Sequence, residues 1–159
     1  MKKTKYNIFK YLLILADILI LCFIFGNSLL LAEESSEKSN IFVNFFVEKI
    51  LQKDINLTDE HFLDTVTFFV RKLAHSFEYF VLTAFVNATF LSFGTDWKKS
   101  GHLSVVTCII FAICDETIQY FVPGRACRAL DVCIDTFGGL LAVLIIRLII
   151  KFHKNEREN

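Results

Sequence analysis

One proline and six glycines in 159 residues are too few turn-formers for a soluble fold of this size, which also needs a more polar surface. The formal net charge is zero, and no basic patch alternates with aromatics, so a nucleic-acid partner is not expected. Cys22, Cys108, Cys114, Cys127 and Cys133 lack the paired CxxC spacing of a zinc or redox site and lie in or beside apolar stretches, which predicts buried free thiols. Cys127 and Cys133 are expected near the outer surface, where a disulfide is chemically possible, and that pair stays open. No repeat, low-complexity tract or long linker divides the chain, so residues 1–159 read as one domain.

What is abundant is apolar: 54% of residues, including 18 phenylalanines, against roughly 45 to 50% in soluble domains. A hydrocarbon core of ~30 Å is crossed by about 20 helical residues, and four stretches approach that length: 9–31, 73–93, 103–122 and 132–150. The expected fold is therefore an all-α membrane protein with four transmembrane helices. The first stretch competes with a signal peptide, since Lys2, Lys3 and Lys5 precede it and Ala32 is small. Its apolar run exceeds the usual cleavable length of about 7 to 15 residues, and Leu31 does not suit a cleavage site, so a retained span is expected.

Basic residues set the expected orientation. Lys2, Lys3, Lys5 and Lys10 precede the first span, Lys98 and Lys99 join the second and third, and Arg147, Lys151, Lys154 and Arg157 close the chain. Both termini are thus expected in the cytoplasm, with 32–72, acidic on balance, outside. Within that segment Phe42, Phe45, Phe46, Lys49 and Ile50 recur at helical spacing after Ser39, which predicts a short interfacial helix between spans one and two. Phe62, Val66, Phe69 and Leu73 form a second stripe, behind Thr58, leading into span two. The connection 123–130 breaks the charge rule by placing Arg125 and Arg128 outside.

Ionisable groups inside spans cost about 2.5 to 3.5 kcal/mol each at the centre of an isolated helix and are functional candidates by default. On span two Arg71, His75 and Tyr79 recur every four residues, flanked by Lys72 and Glu78. Span three carries Asp115, Glu116 and Gln119, and span four opens with Asp131 and Asp135 before Gly138 and Gly139, which permit close helix approach. The charge-derived orientation places all of these toward the outer leaflet. Two plainer uses compete: ion pairing that only holds the bundle together, and snorkelling of Arg71, Lys72 and Asp131 to the interface. Asp115 and Glu116 lie too deep to snorkel, and His75 is the one histidine placed to exchange protons beside carboxylates. Asp17, alone on span one, receives no role.

The blocks RKLAHSFEY, DETIQYFVPGR and DVCIDTFGG, in this order across 71–139, resemble the VanZ-like family of bacterial membrane proteins, named for a teicoplanin-resistance protein. Phe25, Ser28 and the serine-bearing segment 34–39 look like its opening segment. The resemblance implies that Lys72, His75, Glu78, Tyr79, Asp115, Glu116, Gln119, Arg125, Asp131, Asp135 and Gly138 are motif positions, without assigning them a reaction, and Ala142 stands where members often carry another glycine. It implies a multi-pass protein of the bacterial cytoplasmic membrane. The expected function is binding of a lipid-linked wall component or lipid-tailed glycopeptide through Lys72, Glu78, Tyr79, Gln119, Arg125, Arg128, Asp131 and Asp135, with glycopeptide resistance as its phenotype. The alternative is a membrane hydrolase or transferase acting on an envelope lipid, with His75, Asp115 and Glu116 as catalytic groups. No cofactor is expected. Carboxylates at 115, 116, 131 and 135 suit a hard cation, but no ligand motif of known spacing is present, so a metal stays open. An ion or proton conductor would need polar groups in both leaflets, and apart from Asp17 the inner halves are apolar.

Overall fold

The computed structural model describes residues 2–31 and 60–158, with positions 37, 41, 43 and 45 between them. The expected interfacial helix falls in the segment of which only those four positions are described, and Thr58 lies outside the described residues. The helices elsewhere are α1 (Lys2–Ser28), α2 (Glu60–Ser92), α3 (Trp97–Tyr120) and α4 (Ala129–Glu158). The second aromatic stripe is continuous with α2, which starts thirteen residues ahead of the expected span, and Phe62, Phe69 and Leu73 are exposed on it.

The chain stops its helices with the few breakers it has. Its only proline, Pro123, lies between α3 and α4. Gly94, after α2, has φ +85°, a left-handed conformation in which the Thr95 N–H reaches back to the Phe90 carbonyl at 3.2 Å and closes the helix end. Two residues later Asp96 caps α3 by accepting the Lys98 N–H at 3.0 Å. A connection this short makes α2 and α3 antiparallel neighbours.

Contacts along the bundle show the helices alternating in direction. Near one end, here the Trp97 end, Ser100 donates to the Asn87 carbonyl (3.2 Å) and Arg147 to the Lys98 carbonyl (3.4 Å). Near the other, the Pro123 end, Asn27 donates to Glu78 (3.2 Å) and Ser76 to the Ile134 carbonyl (3.1 Å). Toward the Trp97 end of α2, Thr89 donates to Asp17 at 2.7 Å, which gives Asp17 the role the sequence did not: it ties α1 to α2. The α2 helix is central, packing on α1, α3 and most extensively α4.

The distribution of polarity is inverted relative to a soluble bundle. Ser28, Thr83, Asn87, Ser100, Ser104, Asp115 and Glu116 are buried, while Phe9, Leu12, Leu19, Phe23, Val106, Ile110, Leu144 and Phe152 are exposed. Such an exterior requires an apolar solvent, and most of the buried polar groups bond within the protein, Ser100 to the Asn87 carbonyl, Ser104 to the Ser100 carbonyl and Asp115 to Gln119. Asn7–Ser28, Trp97–Tyr120 and Ala129–His153 are long and apolar enough to cross a membrane. The fourth helix, α2, spans about 50 Å at 1.5 Å per residue but is more polar. Toward its middle its polar groups turn inward: Tyr79, Thr83 and Asn87 are almost completely buried, while His61, Asp64 and Thr65 in its first two turns are exposed. A helix surrounded by three others does not need an apolar surface all round.

The five cysteines are free, as expected, but only Cys108 is buried; Cys22, Cys114, Cys127 and Cys133 are exposed. The expectation of burial fails because residues in apolar stretches face outward in this fold as readily as inward. Cys127 and Cys133 are not bridged.

Candidate functional site

At the Pro123 end α2, α3, α4 and the 121–128 connection enclose a cavity of about 290 Å³. The Lys72, His75, Glu116, Gln119, Arg125, Arg128, Asp131 and Asp135 side chains expected to form a site all line it, joined by Arg71 and Phe68. Helical spacing accounts for the convergence: 71, 72 and 75 lie within one turn of α2, 116 and 119 within one of α3, and 131 and 135 within one of α4. The connection folds back over the mouth through Gly124, whose φ of +78° is one that a residue with a Cβ rarely adopts.

Three of the acids are held by different partners. Asp131 forms an ion pair with Lys72 across α4 and α2. Glu116 accepts the Arg128 backbone N–H at 2.8 Å, tying the connection down onto α3. Asp115, fully buried, accepts from Gln119 at 3.1 Å, and the same Gln119 amide donates to Ser28 at 3.2 Å. Among the described residues no group of three or more His, Cys, Asp or Glu is arranged to hold a metal ion.

Three of the expected site residues lie outside the cavity lining. Tyr79 is completely buried and donates its hydroxyl to the Phe111 carbonyl at 3.1 Å. Asp115 sits behind Gln119, and Glu78 accepts from Asn27 while its other oxygen stands 3.5 Å from His75 Nδ1. They form a layer beneath the cavity, and neither His75 Nδ1 nor the Glu78 oxygen facing it has a hydrogen-bond partner. Asn27 is a contributor that the sequence did not signal, since an amide near the end of an apolar helix looks like a boundary residue. It holds Glu78 through its side chain and Arg125 through its carbonyl, at 3.2 Å in each case.

The cavity is amphoteric with an excess of cations: Arg71, Lys72, Arg125 and Arg128 face Glu116, Asp131 and Asp135. Arg125, in the connection, is half-buried, and burial pushes its guanidinium below the usual range, Arg71 nearby adding to the effect and Asp115 and Glu116 opposing it. An arginine stays protonated even so, and a desolvated guanidinium is a strong anchor for an anion.

An inverted exterior, a polar interior and a charged cavity at one end of the bundle define a helical membrane protein with a ligand-sized polar recess. The chain belongs to the VanZ/LLP1 family, whose model matches residues 12–150. No curated protein and no solved structure matches it.

Proposed function

We propose that this VanZ-type protein crosses the bacterial cytoplasmic membrane four times, α2 included, with both termini in the cytoplasm and the Pro123 end outward. Its cavity binds the polar head of a lipid-linked wall component or a lipid-tailed glycopeptide, and in the second case contributes to teicoplanin resistance. The orientation rests on the lysines and arginines at the Trp97 end and near both termini. The observation that carries the binding reading is the recess itself, in which four cations and three acids meet beside the apolar outer surface. A molecule with an anionic or zwitterionic head and an acyl tail satisfies both environments at once. With purified protein in lipid nanodiscs and teicoplanin as probe, Arg125→Ala and Asp135→Asn are each expected to weaken binding about tenfold, the value of one charge-assisted contact. Unchanged affinity in both variants, with helical content retained, overturns the reading.

A second reading, an enzyme on an envelope lipid, is favoured by one contact. Glu78 lies 3.5 Å from His75 Nδ1 without a hydrogen bond between them, while His75 lines the cavity; a small side-chain shift on ligand binding would make Glu78 the orienting carboxylate of a general base whose other nitrogen does the proton exchange. Glu116 then has the place of the acid. Incubation of wild type and His75→Ala with bacterial lipid extract, followed by mass spectrometry, is expected to yield a product only with the wild type. Identical product profiles exclude this reading and leave binding.

A further inference from the structure

A second recess lies at the other end of the bundle, outside the site above. It is a groove of about 490 Å³ on the outer face between α3 and α4, lined by Gly101, His102, Val105, Val106, Leu140, Val143, Leu144 and Arg147. Gly101 and Gln119, at the far ends of the two recesses, are eighteen residues apart on α3, or about 27 Å along its axis, while the nearest linings on α4, Asp135 and Leu140, are about 7.5 Å apart along it.

The groove has two chemical parts. From Leu140 to Val143, Leu144 and Val106 it is an apolar trough, and Val106 and Leu144 are exposed to the surrounding solvent of the bundle. At its head stands Arg147. One guanidinium nitrogen donates to the Lys98 carbonyl at a long 3.4 Å, Nε is buried with no hydrogen-bond partner, and among the described residues no carboxylate pairs with it. Gly101 makes the room: a Cβ there would come within 2.9 Å of an Arg147 nitrogen and of Val143. Trp97, partly exposed beneath the Lys98 ammonium at 5.5 Å, marks the same level as a membrane interface.

We propose that this groove is a binding site for one anionic phospholipid, with its phosphate on Arg147 and the first part of an acyl chain in the Leu140 to Val106 trough. A cation without a protein counter-charge at the interface, directly above an apolar channel running about 10 Å down α4 from Arg147 to Leu140, matches a phospholipid's own division into head and tail. A packed helix from another protein would cover the trough but leave the guanidinium without an anion. Since the groove shares no residue with the Pro123-end cavity, the proposal stands or falls independently of the function assigned there.

Native mass spectrometry of the whole protein from detergent, titrated with phosphatidylglycerol or with phosphatidylcholine of the same acyl chains, tests it. The wild type is expected to retain one phosphatidylglycerol in preference to phosphatidylcholine. Arg147→Gln is expected to lower phosphatidylglycerol retention about tenfold and abolish the preference, and Arg147→Lys to keep it. Val106→Trp, at an exposed position that accepts a larger side chain, is expected to reduce retention of both lipids by blocking the trough, and it decides the matter if Arg147→Gln does not fold. Absence of headgroup preference in the wild type, or wild-type retention in either Arg147→Gln or Val106→Trp, overturns the proposal.

Discussion

Gly138→Val is expected to remove most of the folded protein, because α4 crosses α2 with no room for a side chain at this position. A Cβ on Gly138 would overlap the Ser76 carbonyl oxygen and come within 2.9 Å of its carbonyl carbon. That obstacle is main chain inside a helix, so it does not turn aside as a flexible side chain would. Overpacking of this kind costs about 1–3 kcal/mol when neighbours can shift and more when they cannot, and here a shift pulls Ser76 Oγ from the Ile134 carbonyl. It also separates the helices that carry His75 and Asp135 to one cavity. Gly138→Ala acts in the same direction. At Gly26, by contrast, an added Cβ would meet nothing within 4 Å, so Gly26→Ala is expected to be neutral or stabilising by up to about 1 kcal/mol through helix propensity. Thermal unfolding and size-exclusion profiles in detergent compare the three variants. Equal melting of Gly138→Ala and the wild type refutes the close-approach argument.

The Lys72 and Asp131 pair carries the second large effect, and it separates holding the fold from binding a ligand. Lys72→Ala leaves the Asp131 carboxylate without its counter-charge in a side chain only 12% exposed. Breaking one side of such a pair is expected to destabilise by roughly 2–3 kcal/mol, less than for full burial because both groups keep some exposure. Replacing both, Lys72→Met with Asp131→Leu, removes the stranded charge and is expected to recover most of that stability, since apolar substitutes for an ion pair are often neutral. Binding at the cavity is not expected to recover, because the double variant lacks a cation and an acid of its lining. Wild-type teicoplanin binding by a stable double variant shows that the pair does no more than join α2 to α4.

Much of the fold was legible because lipid imposes a simple demand on sequence. Apolar stretches of helical length mark α1, α3 and α4 directly, and Pro123 and Gly94 fall where helices end. The span boundaries were less legible: α2 runs through Phe62 and Phe69 without a break, since nothing in helical periodicity marks where a helix leaves the membrane. Cysteine burial was illegible for a related reason. In this solvent apolar character says that a residue avoids water, and it does not say whether protein or lipid surrounds it, so Cys108 and Cys114 look alike in sequence yet differ in exposure.

The site was legible as a set of residues and not as an arrangement. Charge within the spans singled out His75, Glu116 and Asp135 because burying such groups in lipid is expensive, charge at their outer ends and in the connection added Lys72, Arg125 and Asp131, and these line one cavity. That Tyr79 and Asp115 stand beneath it, that Asn27 secures both Glu78 and Arg125, and that Asp17 meets Thr89 depend on helix rotation and pairing between residues 32 to 98 positions apart. The sequence by itself determined an apolar, helical, membrane-embedded chain and the identity of its charged groups, because those follow from composition and local spacing. Only the tertiary structure decided which charges pair, which face the recess at the Pro123 end and that Arg147, at the other, has no counter-charge among the described residues. Those outcomes are set by how four helices turn their faces toward one another, a property that no single helix carries.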